Sequence, residues 1–149
     1  MTTPQAYRGE KLGLAADGPG SLASFATRTG AFIVDSVAAF LVASIFVQLF
    51  GHHTDAASRL PRSWVLIPFF ADYVFGILFA GRTLGMNLLG LRVIRVDADV
   101  AIGPLRAIVR TALLSLLVPA VIVDRDGRGL HDRLTDTAVI HAPRSLRGR

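Results

Sequence analysis

The sequence predicts an all-α integral membrane protein with two transmembrane helices, a third short apolar helix and a small two-stranded β element. Three observations lead to this class. Of the 149 residues, 52% are hydrophobic and only 18% are charged, whereas a soluble domain carries about a quarter charged residues. Two long apolar segments hold a single charge each, and two short runs rich in β-branched residues lie on either side of a third apolar segment.

The first two apolar segments are long enough to be membrane spans. Residues 30–50 carry one charge, Asp35, and 21 helical residues at about 1.5 Å each cover the roughly 30 Å hydrocarbon core. Residues 64–80 also carry one charge, Asp72, and begin with a tryptophan, which is typical of a membrane interface. A buried helical hairpin in a soluble protein is disfavoured, because the remaining polar chain is too short to cover two such runs.

The third apolar segment, residues 105–123, is predicted to be a helix that does not cross the membrane fully. Arg106 and Arg110 lie in its first turns and Pro119 interrupts it, so the uncharged part has the length of an interfacial, re-entrant or buried helix. Hydropathy alone allows three spans. Two spans with both chain ends inside place 14 of the 16 basic residues on the cytoplasmic side, which the positive-inside rule favours.

The two β-branched runs, residues 88–96 and 137–142, are predicted to be strands. The two-span arrangement puts both on the cytoplasmic surface, where we expect them to pair. The predicted domain organisation is a polar, mobile N-terminal tail over residues 1–23, a membrane domain over 24–142 and a basic C-terminal tail over 143–149.

Asp35 and Asp72 are the candidates for membrane chemistry, because a carboxylate inside an apolar helix is costly unless it is paired, hydrated or protonated. Either residue could belong to an ion or proton relay, and together they could form a two-carboxylate cation site. The alternative for Asp35 is a structural pair with Arg106 or Arg110 that orients the helices. The alternative for Asp72 is a contact between helices, within the chain or with a partner subunit.

Other function classes lack support in the residues. The net charge of +5 comes without aromatic residues interleaved in a basic patch, so nucleic-acid binding is not expected. There is no cysteine, the His52-His53 pair is interpreted as a solvated loop, and the stretch DRDGRG at 124–129 lacks the later ligands of a calcium loop. No nucleophile–base constellation or nucleotide fingerprint appears, so neither an enzyme nor a metal or cofactor site is predicted.

Three stretches taken together resemble the RDD family of small bacterial membrane proteins, named for one arginine and two aspartates. They are TRTGAFIVD at 27–35, GRTLGMNLLGLRVIRVD at 81–97, and LRAIVR at 105–110 followed by GLHDRLTDTAVI at 129–140. The resemblance covers roughly residues 24–142. It implies a multi-pass protein of the bacterial cytoplasmic membrane, with solute or ion transport or an accessory-subunit role as the family's proposed activities.

By this resemblance the name residues of the family are Arg28, Asp35 and Asp132. The sequence departs from the family at Met86, where Lys or Arg is common, and Asp72 is not part of the family pattern. We expect Arg28 and Asp132 to pair near the head of the first helix. Asp132 is also expected to reach Arg82 or Arg106, and Arg110 is a further candidate charge partner.

The sequence leaves two function hypotheses. The first is an accessory or assembly subunit of a larger membrane transport complex, because two spans and a short helix are too few to enclose a path. A face of small residues on the first helix would dock the partner; it comprises Ala31, Ser36, Ala38, Ala39 and Ala43. The second is a cation/proton antiporter that acts as an oligomer. The expected partners are therefore the lipid bilayer and either other membrane subunits or further copies of this chain.

Overall fold

A computed structural model describes residues 5–50, 62–116, 122 and 128–143. Within them the chain forms five α-helices and one two-stranded sheet, after a short 3₁₀ turn at Glu10–Leu12. The helices are α1 (Phe25–Phe50), α2 (Arg62–Phe75), α3 (Leu84–Leu88), α4 (Pro104–Ser115) and α5 (Leu130–Leu134), and the strands are β1 (Leu91–Arg95) and β2 (Thr137–His141). The His52-His53 pair, most of the DRDGRG stretch and residues 144–149 lie outside this part of the chain.

Helix α1 is long and apolar enough to cross a membrane between Phe25 and Leu49. One stripe, at a spacing of four residues, is buried against α2 and α3; it comprises Ala31, Asp35, Ala39 and Ala43. The small side chains allow the helix backbones to approach closely. Most of the small face predicted to dock a partner is therefore used inside the fold. The large apolar side chains of α1 point outward instead, with Ile33, Val37 and Phe40 each more than half exposed.

Helix α2 returns alongside α1 and is extended by one wider, π-helical turn at Gly76–Ala80. Together they form a shorter apolar helix of 17 residues, Trp64–Ala80. Phe69 and Tyr73 bury their rings against α1, and the Phe69 ring meets Phe32 edge-on at 5.6 Å. The helix ends at Gly81, whose φ of +67° is a conformation that glycine adopts without a steric penalty.

The predicted pairing of the two short strands is confirmed. β1 and β2 are antiparallel, with Leu91 opposite His141 and Arg95 opposite Thr137. The end of the predicted mobile tail also packs on this sheet, which differs from a free tail. Leu22 forms a bridge with Ile140, and the Ala23 N–H donates to the Val139 carbonyl.

Helix α4 forms the described part of the third apolar segment. Pro104 occupies its first turn, where no backbone N–H is needed. Its buried face, which includes Arg110 and Leu114, packs against α2 and α5, while Leu105 and Leu116 are exposed. The Leu130 N–H donates to the Ile122 carbonyl, so residue 122 lies beside the start of α5. Residues 117–121 and 123, with Pro119, lie outside the described residues.

Candidate functional site

A buried carboxylate, Asp132, is the centre of the first charge cluster. It lies in the first turn of α5 and is fully buried. Nε and Nη2 of Arg110 both lie 2.8 Å from Asp132 Oδ1, and Nη1 of Arg28 lies 3.2 Å from Oδ2. Asp132 therefore links α5 to the head of α1 and to the middle of α4.

The charge of Asp132 is stabilised by its surroundings. Burial by itself raises the pKa of this carboxyl, but the two guanidinium groups and the neighbouring His131 outweigh burial and hold the pKa below its ordinary value of 3.8. The Thr137 hydroxyl donates to Oδ1 at 3.3 Å. Both arginines are themselves mostly buried. Because their two positive charges contact Asp132, this carboxyl is ionised and serves as their counter-charge.

The predicted contact between Arg28 and Asp132 is confirmed, but Arg106 has other partners. Arg106 lies at the surface and pairs with Asp97 at 2.9 Å and with Asp136 at 3.7 Å. Arg110 is the second arginine of Asp132. Arg82, the other candidate partner, borders a polar cavity beside the sheet, away from the residues that surround Arg110.

A second cluster forms around Asp35, where α3 packs against α1. Asp35 is 1% exposed, and its two oxygens accept from different donors: the Thr83 hydroxyl at 2.6 Å and the Gly85 N–H. The Asp72 carboxyl contacts Asp35 and accepts from the Leu84 N–H at 3.3 Å. The two intramembrane carboxyls predicted to form one site are thus brought together, at the N-terminus of α3.

The expected pairing of Asp35 with Arg106 or Arg110 is wrong. Asp35 faces α3 and not the arginines of α4, and Arg110 is held by Asp132. Asp35 instead satisfies backbone and hydroxyl donors at the start of a short helix, where N–H groups have no partner within the helix. Tyr73 is also buried, and both Asp35 and Arg110 lie close enough to act on it electrostatically.

Sequence reasoning missed Thr83 and Gly85 as partners of Asp35. The G-x-x-x-G spacing of Gly81 and Gly85 was available as a signal, since it is typical of close helix packing. A β-carbon on Gly85 would collide with the Ala31 carbonyl, so only glycine permits this approach.

The described residues offer few sites for a bound ion. No group of three or more His, Asp or Glu side chains within them has the arrangement of a metal site. Asp35 is buried where α3 packs against α1, whereas Asp72 is partly exposed.

The comparison with known proteins identifies a family for the chain. No curated protein and no solved structure matches the chain significantly. The profile of the RDD family matches residues 22–136, which include Arg28, Asp35 and Asp132. Because the match covers well over half of the 149 residues, the chain belongs to the RDD family.

Proposed function

We propose that this protein is an accessory or assembly subunit of a larger transport complex in the bacterial cytoplasmic membrane. The observation that carries the proposal is the use of both intramembrane carboxyls inside the fold. Each oxygen of Asp35 accepts a hydrogen bond, and Asp72 accepts from the start of α3. Carboxyls that accept hydrogen bonds from the start of a neighbouring helix support a structural role more directly than a conducting one. The proposal assigns the chain no catalytic activity and no cofactor.

The proposal includes a two-span topology with the sheet on the cytoplasmic side. β2 pairs with β1 and also bonds to Ala23, directly before α1. These three places must lie on one side of any bilayer, so the chain between them crosses an even number of times. A crossing by α1 then requires a return crossing by α2 and its extension. The same reasoning supports no net crossing between β1 and β2.

The outward faces of the helices provide the surface for partners. Ile33, Val37, Phe40, Leu41 and Ile45 of α1 are each more than half exposed, as are Ile67 and Phe79 of the second helix. Lipid chains can cover such faces as well as a protein partner can. Because two spans bury only a small part of each other, most of their surface lies on the outside of the protein. A larger complex would use part of this surface without disturbing the charge clusters.

Site-specific photo-crosslinking in native membranes tests this role. A benzoylphenylalanine at Phe40, which is 53% exposed, would contact a partner, whereas the same group at Phe69, which is 6% exposed, serves as the buried control. We expect one reproducible crosslink to a different membrane protein from position 40 and none from position 69. Crosslinks to lipid alone, or only between copies of this chain, would contradict the proposal.

The alternative function is a cation/proton antiporter that acts as an oligomer, and the contact between Asp35 and Asp72 favours it. Two carboxyls in contact do not both ionise readily, so such a pair holds a proton that a cation could replace. The test is pH-driven sodium or potassium flux in proteoliposomes. Flux that Asp72→Asn abolishes would support the antiporter, and absence of flux in the wild type would leave the accessory role.

A further inference from the structure

The structure assigns a binding site for one anionic membrane lipid to a cavity between α1, α4 and α5. The cavity has a volume of about 300 Å³, at the lower end of the range for small-molecule sites. Its basic lining residues are Arg28, Arg110 and His131, and its apolar lining includes Phe25, Ile33 and Leu114. Among the described residues, no carboxylate lines the cavity. Such a cavity suits a phosphate group with the first part of one acyl chain.

A buried donor on Arg110 is the independent observation that points to an anion. Arg110 is 1% exposed, and its Nε and Nη2 are held by Asp132. Its Nη1 is also buried but has no hydrogen-bond partner among the described residues. An unsatisfied buried donor is costly, and most of all on a charged group. A phosphate oxygen in the adjoining cavity would supply the missing acceptor.

The charge balance favours the same occupant. Two guanidiniums, Arg28 and Arg110, contact the same carboxylate, Asp132, whose single negative charge balances only one of their two positive charges. Asp35 does not compensate the second charge directly, because its oxygens face Thr83 and Gly85. Guanidinium groups match the geometry of phosphate oxygens and bind them more strongly than neutral donors do.

The apolar wall identifies the anion as part of a lipid and not as free phosphate. Phe25 is 49% exposed and Ile33 is 56% exposed, and both lie on the first turns of α1 beside the cavity. An acyl chain that leaves the cavity would run along this face of α1. The site lies near the head of α1, where the two-span topology places the cytoplasmic lipid head groups.

Native mass spectrometry of the full chain in detergent tests the site, with dioleoyl phosphatidylglycerol and dioleoyl phosphatidylcholine as probes. We expect the first bound phosphatidylglycerol to bind about tenfold more tightly than phosphatidylcholine. Both lipids offer the phosphate oxygen, but the choline cation of phosphatidylcholine is repelled by Arg28 and Arg110. Ile33→Trp, which fills the cavity mouth without touching an ion pair, should abolish this preference. Val37→Trp is the matched control, one turn further along the same exposed face, and should retain it.

Two further measurements separate the sources of binding. Arg110→Lys keeps a cation beside Asp132 but removes Nη1, so it should weaken the binding of phosphatidylglycerol. If this variant does not fold, Ile33→Trp still decides the question. Inorganic phosphate alone should not displace phosphatidylglycerol, because it makes no contact with the apolar wall. Equal affinity for both lipids, an undiminished preference in Ile33→Trp, or displacement by inorganic phosphate would overturn the assignment.

Discussion

Removing the charge of Asp132 should destabilise the protein strongly. In Asp132→Asn the side chain keeps its shape, but Arg110, at 2% side-chain exposure, loses the only carboxylate that the described residues place beside it. Leaving one member of a buried ion pair uncompensated costs about 3–5 kcal/mol. For a chain of this size, that corresponds to a fall of about 6–20 °C in the midpoint of thermal unfolding.

Asp97→Asn is the matched control for this experiment. Asp97 also contacts two arginines, Arg95 at 2.7 Å and Arg106 at 2.9 Å. These groups lie at the surface, where water screens the interaction, and their separation changes the stability little. The two variants remove the same chemical group from equally close pairs and differ in burial. Their unfolding midpoints, measured by circular dichroism of the protein in detergent, should therefore separate clearly.

A double variant tests the stated cause of the loss. Adding Arg110→Met to Asp132→Asn removes the uncompensated guanidinium, and Arg28, at 12% side-chain exposure, remains close enough to solvent to turn outward. We expect part of the lost stability to return. Equal losses in Asp132→Asn and Asp97→Asn, or a double variant less stable than Asp132→Asn, would refute the reasoning.

Three other predictions follow from the same contacts. Asp35→Asn should lower the amount of protein in membranes more than Asp72→Asn. An amide at 35 turns a donor toward the Thr83 hydroxyl and the Gly85 N–H, which are themselves donors, whereas an amide at 72 accepts from α3 and donates to Asp35. Quantitative immunoblotting measures the membrane level of each variant, and equal losses would contradict the prediction. Gly85→Ala should lower the unfolding midpoint because its β-carbon collides with the α1 backbone, while Gly103→Ala, with open space around it, should not. The pKa of Asp132 lies below 3.8, so its stabilisation is complete above that pH and is lost as the pH falls through the folded value. The difference in stability between wild type and Asp132→Asn should therefore not shrink between pH 8 and 5, where a charged His131 also favours the Asp132 carboxylate, and should shrink only in stronger acid.

Patterns that depend on local sequence predicted much of this fold. The apolar length of α1, the β-branched runs of β1 and β2 and the arginines at the head of α4 were each visible as strings of residues. The contact between Arg28 and Asp132 followed from placing both on one side of the membrane. These predictions needed only periodicity, length and the sidedness of charge.

The partners of Asp35 could not be predicted in the same way. They depend on the depth at which α3 turns back against α1, which is set by the close approach at Gly85 and not by any charge pattern. Attraction between unlike charges suggested an arginine for Asp35, but the structure satisfies it with an N–H and a hydroxyl. Hydrogen bonds from backbone donors cannot be recognised in the composition of a segment. In the sequence, a carboxylate that caps a distant helix therefore looks the same as one that binds a cation.

The bond between Ala23 and Val139 makes the last described strand the closing element of the domain. β2 begins at Thr137, one residue beyond the stretch that the family profile matches. It nevertheless pairs with β1 and accepts a hydrogen bond from Ala23, just before α1. Ribosomes make the chain from its N-terminus, so α1 and α2 emerge long before the strand that anchors them exists. Final assembly must wait for contacts more than a hundred residues apart in sequence, the kind that close slowly. A chain cut at the profile's limit would keep all three name residues and lose the strand that fastens them together.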